Sequence, residues 1–177
     1  MQLYAQENRA YLPRRGNGWQ PVSNISRPTD WFNALPPLLK SDSYYALALA
    51  GKTPRPGKTS IWICPEAVDR GGIFFMGYAM NMSLSTWEAA QPDRLDRVGP
   101  IVSMVFLTDG IGSYCSALPS PKDYSPIPRH GKRANIAFLD GHAESFDGTY
   151  LGCRIGDPKR ADVRWFVPES TWAGPPH

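Results

Sequence analysis

His130-Gly131-Lys132-Arg133-Ala134-Asn135-Ile136-Ala137-Phe138-Leu139-Asp140-Gly141-His142-Ala143-Glu144-Ser145-Phe146 is the stretch that decides the fold class of this chain. The apolar run Ala134 to Leu139 is closed by Asp140-Gly141, a dipeptide suited to the positive φ angles of a tight turn. His142 to Phe146 follows at once, with Ala143 and Ser145 alternating against Glu144 and Phe146, which is the period of a half-buried strand. Together they predict a β-hairpin. Ile101 to Thr108 is a second apolar run closed by an Asp-Gly pair, Asp109-Gly110, and predicts another strand with the same terminal turn chemistry.

Working outward, Ser60 to Cys64 and Phe74 to Asn81 are short, rich in aromatic and β-favouring residues and bounded by Pro or Gly, so both predict strands. The N-terminal part has a different period. Met1 to Asn8 places Leu3, Tyr4 and Glu7 at helical spacing. Trp31 to Leu35 follows a potential N-cap in Thr29-Asp30 and meets Pro36-Pro37, which limits or restarts the helix. Ser43 to Ala50 predicts a further helix closed by Gly51. Lys52 to Lys58, Leu84 to Arg97 (with a helical turn around Trp87 to Ala90) and the Ser- and Pro-rich stretch Gly112 to Arg129 read as connections. Asp157 to His177 reads as an extended arm packed across the domain. The pattern is α+β.

The chain has 177 residues, of which 42% are apolar and 20% charged, so one domain with one core is expected and disorder throughout is not. A formal charge of +3, with adjacent basic residues only at Arg14-Arg15, Lys132-Arg133 and Lys159-Arg160, is too sparse for a nucleic-acid footprint. No stretch approaches the roughly 20 apolar residues that span a bilayer. Cys64, Cys115 and Cys153 are an odd count with no Cys-x-x-Cys pair, which argues against a structural zinc site. In an oxidising compartment Cys115 with Cys153 is the preferred disulfide, both lying in Gly- and Ser-flanked loops. Cys64, inside an apolar run, reads as a small buried hydrophobe. Three free thiols in a reducing compartment is the alternative.

His130 followed by nine residues and then Asp140-Gly141 resembles the signature of the prepilin-type processing-associated H-x9-DG family, whose complete members look like pseudopilins of type II secretion systems. The likeness extends to Leu3 through Pro13, similar to the family's exit from its long N-terminal helix, and to Ile63-Cys64-Pro65, Tyr78-Ala79-Met80-Asn81 and Val105 through Gly110, in the expected order. The resemblance implies a pilin-like fold: the remnant of an N-terminal helix (residues 1–13) packed on a small antiparallel β-sheet with long loops, and a C-terminal arm over 157–177. It also implies an oxidising, periplasmic or cell-surface location, which supports a disulfide, and partners that are other pseudopilins or exported cargo. The basic leader, the peptidase site and the long apolar helix of the family are not in this sequence. A helix that ends at Tyr4 to Asn8 without a beginning favours their having been trimmed away, with membrane contact only through that missing helix.

The residues able to do chemistry are His130, His142, Asp109 and Asp140. If the strands ending at Asp109 and Asp140 are neighbours, both carboxylates and His142 lie at one end of the sheet, with His130 within reach. The structural reading is that each Asp before Gly accepts backbone N–H groups in a turn and that a histidine fixes the loop. A metal at these four residues is the second reading, with calcium suggested by the oxygen-rich set and by related pseudopilins that use it. No hydrolase elbow, metalloprotease helix, phosphate loop or dinucleotide fingerprint occurs, so an enzyme is not expected. A metal-dependent hydrolase built on His130, Asp140 and His142 requires an open coordination position in a cleft. Aromatics in loop or tail contexts, Trp19, Trp31, Trp87 and Trp172, suit a binding module for polysaccharide or exported protein if they form an exposed patch, whereas the simpler reading is that such large rings fill the core.

Overall fold

A computed structural model of the chain describes residues 1–16, 22–58, 60–68, 72–85, 91–117, 125–149, 151 and 160–167. Among the described residues three short helices precede the sheet: α1 (Gln2–Glu7), α2 (Trp31–Ala34) and α3 (Tyr44–Leu49). Pro36 to Leu39 continues α2 as a 3-10 turn, because proline at its start has no N–H to donate yet fits a first helical turn. Ser43 caps α3 by accepting the Ala46 N–H at 3.1 Å. Gly51, at φ +68°, lets the chain turn back so that its own N–H reaches Ala48 and that of Lys52 reaches Leu47, which is a Schellman ending.

Five strands follow: β1 (Met76–Asn81), β2 (Val105–Gly112), β3 (Ser116–Ala117), β4 (Arg133–Phe138) and β5 (Ala143–Asp147), in the spatial order β3-β1-β2-β4-β5. The hairpin read from the sequence is β4 and β5, paired antiparallel from Arg133 opposite Asp147 to Ala137 opposite Ala143. Most pairings are antiparallel, but β3 runs parallel to β1, so the sheet is mixed where an antiparallel one was expected. β3 arises within the Gly112 to Arg129 stretch that read as a loop: two residues with no alternating pattern carry too little sequence signal to register as a strand.

Two further expectations are corrected. Ser60 to Cys64 forms no strand; Ser60 bends the chain locally, its Oγ accepting from Trp62 N–H and its carbonyl from Ile63 N–H, both at 3.2 Å. β2 begins later than Ile101 and does not end at Asp109-Gly110 but runs on to Gly112. The register against β1 slips between Met76 and Tyr78, so Asp109-Gly110 belongs to a β-bulge rather than a turn. Gly110 lets the strands approach closely there, since a Cβ would stand 3.1 Å from the carbonyl carbon of Tyr78 on β1.

Tyr44 is at the centre of the larger core, edge-on to Phe32, Trp62 and Phe74, with its hydroxyl donating to the Phe75 carbonyl at 2.8 Å and accepting the Phe75 N–H at 3.0 Å. Ala134, Ile136, Phe138 and Phe146 of the hairpin form a second cluster with Val105, Val163 and Trp165. Residues 160–167 lie along the start of β2, where Arg164 exchanges backbone hydrogen bonds with Ser103 and Val105. Cys153, Trp19, Trp87 with the turn expected at Trp87 to Ala90, Trp172 and most of the 157–177 arm lie outside the described residues. No described helix is long and apolar enough to cross a membrane.

Candidate functional site

His130-Gly131-Lys132-Arg133 is itself a tight turn. Gly131 and Lys132 have φ of +59° and +70°, as a two-residue hairpin turn of the primed type requires, and His130 and Arg133 exchange backbone hydrogen bonds across it. At the other end of β4, Gly141 has φ +103° and donates to Phe138, closing the β4–β5 turn. The nine residues between His130 and Asp140 are therefore one strand with its turn residues. Because β4 has six residues rising ~3.3 Å each, the two ends of the signature stand roughly 20 Å apart.

The four residues singled out from the sequence accordingly separate into two pairs. Asp140 Oδ1 accepts the His142 N–H at 3.1 Å and faces His142 Nδ1 at 2.6 Å. Desolvation pushes the Asp140 carboxyl up, but the hydrogen bonds and charge from His142 outweigh it and leave the carboxyl below its ordinary range. The His142 ring stacks on Phe138 at 4.3 Å between centroids. This is a turn lock near solvent. The expectation that both carboxylates share one end of the sheet fails because β2 and β4 are antiparallel: Val105 faces Phe138 near Asp140, whereas Asp109 lies near the start of β4.

At that start the ladder between β2 and β4 changes character. Thr108 still faces Ile136, but the Asn135 N–H donates to Asp109 Oδ2 at 2.8 Å and Thr108 Oγ1 donates to the Asn135 carbonyl at 3.0 Å. Side chains take over where the bulge displaces the backbone of β2. The Asp109 side chain is wholly buried, and its other oxygen, Oδ1, has no hydrogen-bond partner among the described residues. His130 Nε2 stands 3.4 Å from Asp109 Oδ2 and 3.3 Å from Cys64 Sγ, and the three donor atoms lie within 4.8 Å of one another. Cys64 is a buried free thiol. Arg129 closes one side, its Nη2 donating to the Gly110 carbonyl while its Nε and Nη1 are buried without partners among the described residues. Burial, and then the charges of Cys64 and Asp109, push the Tyr78 phenol above its ordinary value against the pull of Arg129.

Cys64 was the residue that sequence reasoning missed: it read as a filler of an apolar run. The available signal was its place in Ile63-Cys64-Pro65, one of the stretches that carry the family resemblance. The set brought together offers sulfur, nitrogen and oxygen, unlike the oxygen-rich cage that calcium takes.

A separate apolar groove of about 510 Å³ opens over the sheet between Trp31, Leu39, Ile61, Trp62, Tyr78 and Leu107. Trp31, Trp62 and Trp165 are buried, with the indole N–H of Trp31 donating to Cys115 and that of Trp165 to Leu151. These three rings serve the core, so Trp31 is not the exposed binding aromatic that its loop context suggested; Trp19, Trp87 and Trp172 lie outside the described residues. Comparison of the chain with models of known families, with curated proteins and with solved structures finds no match.

Proposed function

We propose that the chain is the extracytoplasmic, pilin-like domain of a prepilin-like subunit that works in a type II secretion or pilus-like assembly by contact rather than by catalysis. The observation that carries this reading is the convergence of stretches bearing the family resemblance. Cys64 of Ile63-Cys64-Pro65, Asp109 of the stretch Val105 through Gly110 and His130 of the signature meet at one point, although 66 residues separate the first from the last. The nine-residue spacing has a physical reason as well, since it is the length of β4 and its flanking turns. In this reading the partners are other pseudopilins or exported cargo, and anchoring belongs to the membrane helix of the family's complete members.

A photo-reactive amino acid at Leu3, which is half exposed on α1, tests the proposal in the cells that make the protein. Cross-linking to prepilin-like membrane proteins or to exported proteins is the expected result. Recovery in the cytoplasmic fraction with no such adduct would overturn it.

A further inference from the structure

We infer that Cys64, Asp109 and His130 form a binding site for a single divalent transition-metal ion of the zinc class. The inference stands on local geometry and does not depend on the assembly reading.

Hydrogen bonding alone accounts poorly for the arrangement. One ring nitrogen, His130 Nε2, faces both Cys64 Sγ and Asp109 Oδ2, and one N–H cannot serve two acceptors well. The 3.4 Å separation from the carboxylate is also longer than a good N–H···O bond. A fully buried carboxylate that keeps one oxygen without a partner is expensive unless a cation faces it. Arg129 lies near but is not paired with it: the bond its guanidinium makes is to the Gly110 carbonyl.

A metal ion held at Asp109 Oδ2 resolves the competition at His130 Nε2 and sets a positive charge beside the buried carboxylate. Zinc bonds of about 2.3 Å to sulfur and about 2.1 Å to nitrogen and oxygen, at tetrahedral angles, set the donors about 3.6 Å apart for sulfur and nitrogen and about 3.4 Å for nitrogen and oxygen. The chain holds its donors at 3.3 Å and 3.4 Å, close to that geometry without an ion to draw them in. Thiolate, imidazole and carboxylate form a donor set for zinc or cobalt rather than for calcium or magnesium. Thiolate and carboxylate together balance the two charges of the ion, the Cys64 thiol giving its proton to solvent on binding. Asp109 is oriented by the Asn135 N–H, the kind of outer hydrogen bond that fixes a ligating carboxylate. Three protein donors leave the fourth position of a tetrahedral ion to a water, and the partly exposed His130 is the ligand nearest to solvent.

The test uses the full chain, reduced and stripped with chelator, and cobalt(II) as a spectroscopic probe. The expected result is one cobalt per chain, with a thiolate charge-transfer band and intense tetrahedral visible bands, displaced by one equivalent of zinc and untouched by millimolar calcium. Cys64→Ser is expected to abolish the charge-transfer band while Cys153→Ser keeps it. His130 is the least buried ligand, so His130→Ala keeps the fold and is expected to weaken binding at least about tenfold even if Cys64→Ser does not fold. No cobalt uptake by the wild-type chain, a band that survives Cys64→Ser, or an unchanged affinity in His130→Ala would each overturn the inference.

Discussion

Asp30 shows how one buried carboxyl sets a pH dependence. It stands at the N-cap of α2 but makes no side-chain cap bond, and Arg27 approaches only to 3.6 Å. Burial dominates, and with Arg27 and Arg14 opposing it, pushes the carboxyl up to about 6 from an ordinary 3.8. The folded state therefore holds this proton more tightly than the unfolded chain does. The stabilisation is fully present below about pH 4 and is lost as the pH rises through about 6. Between pH 4 and 7 the wild type is expected to lose on the order of 2 kcal/mol relative to Asp30→Asn, measured as the difference between their urea unfolding free energies across that range. Parallel pH profiles would remove Asp30 as the cause.

At the scale of the element, β4 and its two turns show that similar turn chemistry can serve different ends. Asp140-Gly141 closes a hairpin near solvent, and its carboxylate holds the His142 N–H. Asp140→Ala removes that bond from a group that water can solvate instead, so a loss of only about 1 kcal/mol in thermal or urea unfolding is expected. A loss several times larger would mean that the pair carries more than the turn. Asp109-Gly110, the same dipeptide, lies in a bulge inside β2 with its carboxylate buried. The difference was not legible in sequence because Asp-Gly satisfies either backbone. The hairpin and the Ser43 and Gly51 boundaries of α3 were legible, since alternation, capping hydroxyls and left-handed glycines act within a few residues. Ser60 to Cys64 misled because apolar and aromatic composition reports burial, whereas a strand also needs a ladder partner, and here the Ser60 side chain and carbonyl capture the local N–H groups.

For the molecule as a whole, Asn81 joins parts of the chain that lie far apart. From the end of β1 its amide donates to the Val105 carbonyl at 3.0 Å and the Trp165 carbonyl at 2.9 Å, and its oxygen accepts from both the N–H and the hydroxyl of Ser83. The residue is fully buried, so Asn81→Ala removes a donor from the Val105 carbonyl of β2 and leaves the Trp165 carbonyl to the Ser83 hydroxyl alone. A loss of about 2–4 kcal/mol is expected, read in urea as a lower midpoint with an unchanged slope. A change under about 0.5 kcal/mol would show that these carbonyls find other donors.

Local physics let the sequence by itself determine the α+β class, the β4–β5 hairpin and most helix ends: residue periods and turn dihedrals depend on near neighbours. It also marked His130, Asp109 and their dipeptides as the residues worth watching. Tertiary structure alone decided which aspartate meets which histidine, that Cys64 joins Asp109 and His130, and that Asp140 and His142 stand at the other end of β4. Those contacts follow from the order and antiparallel register of β1, β2 and β4, fixed by long-range packing of the two apolar clusters that no local pattern encodes.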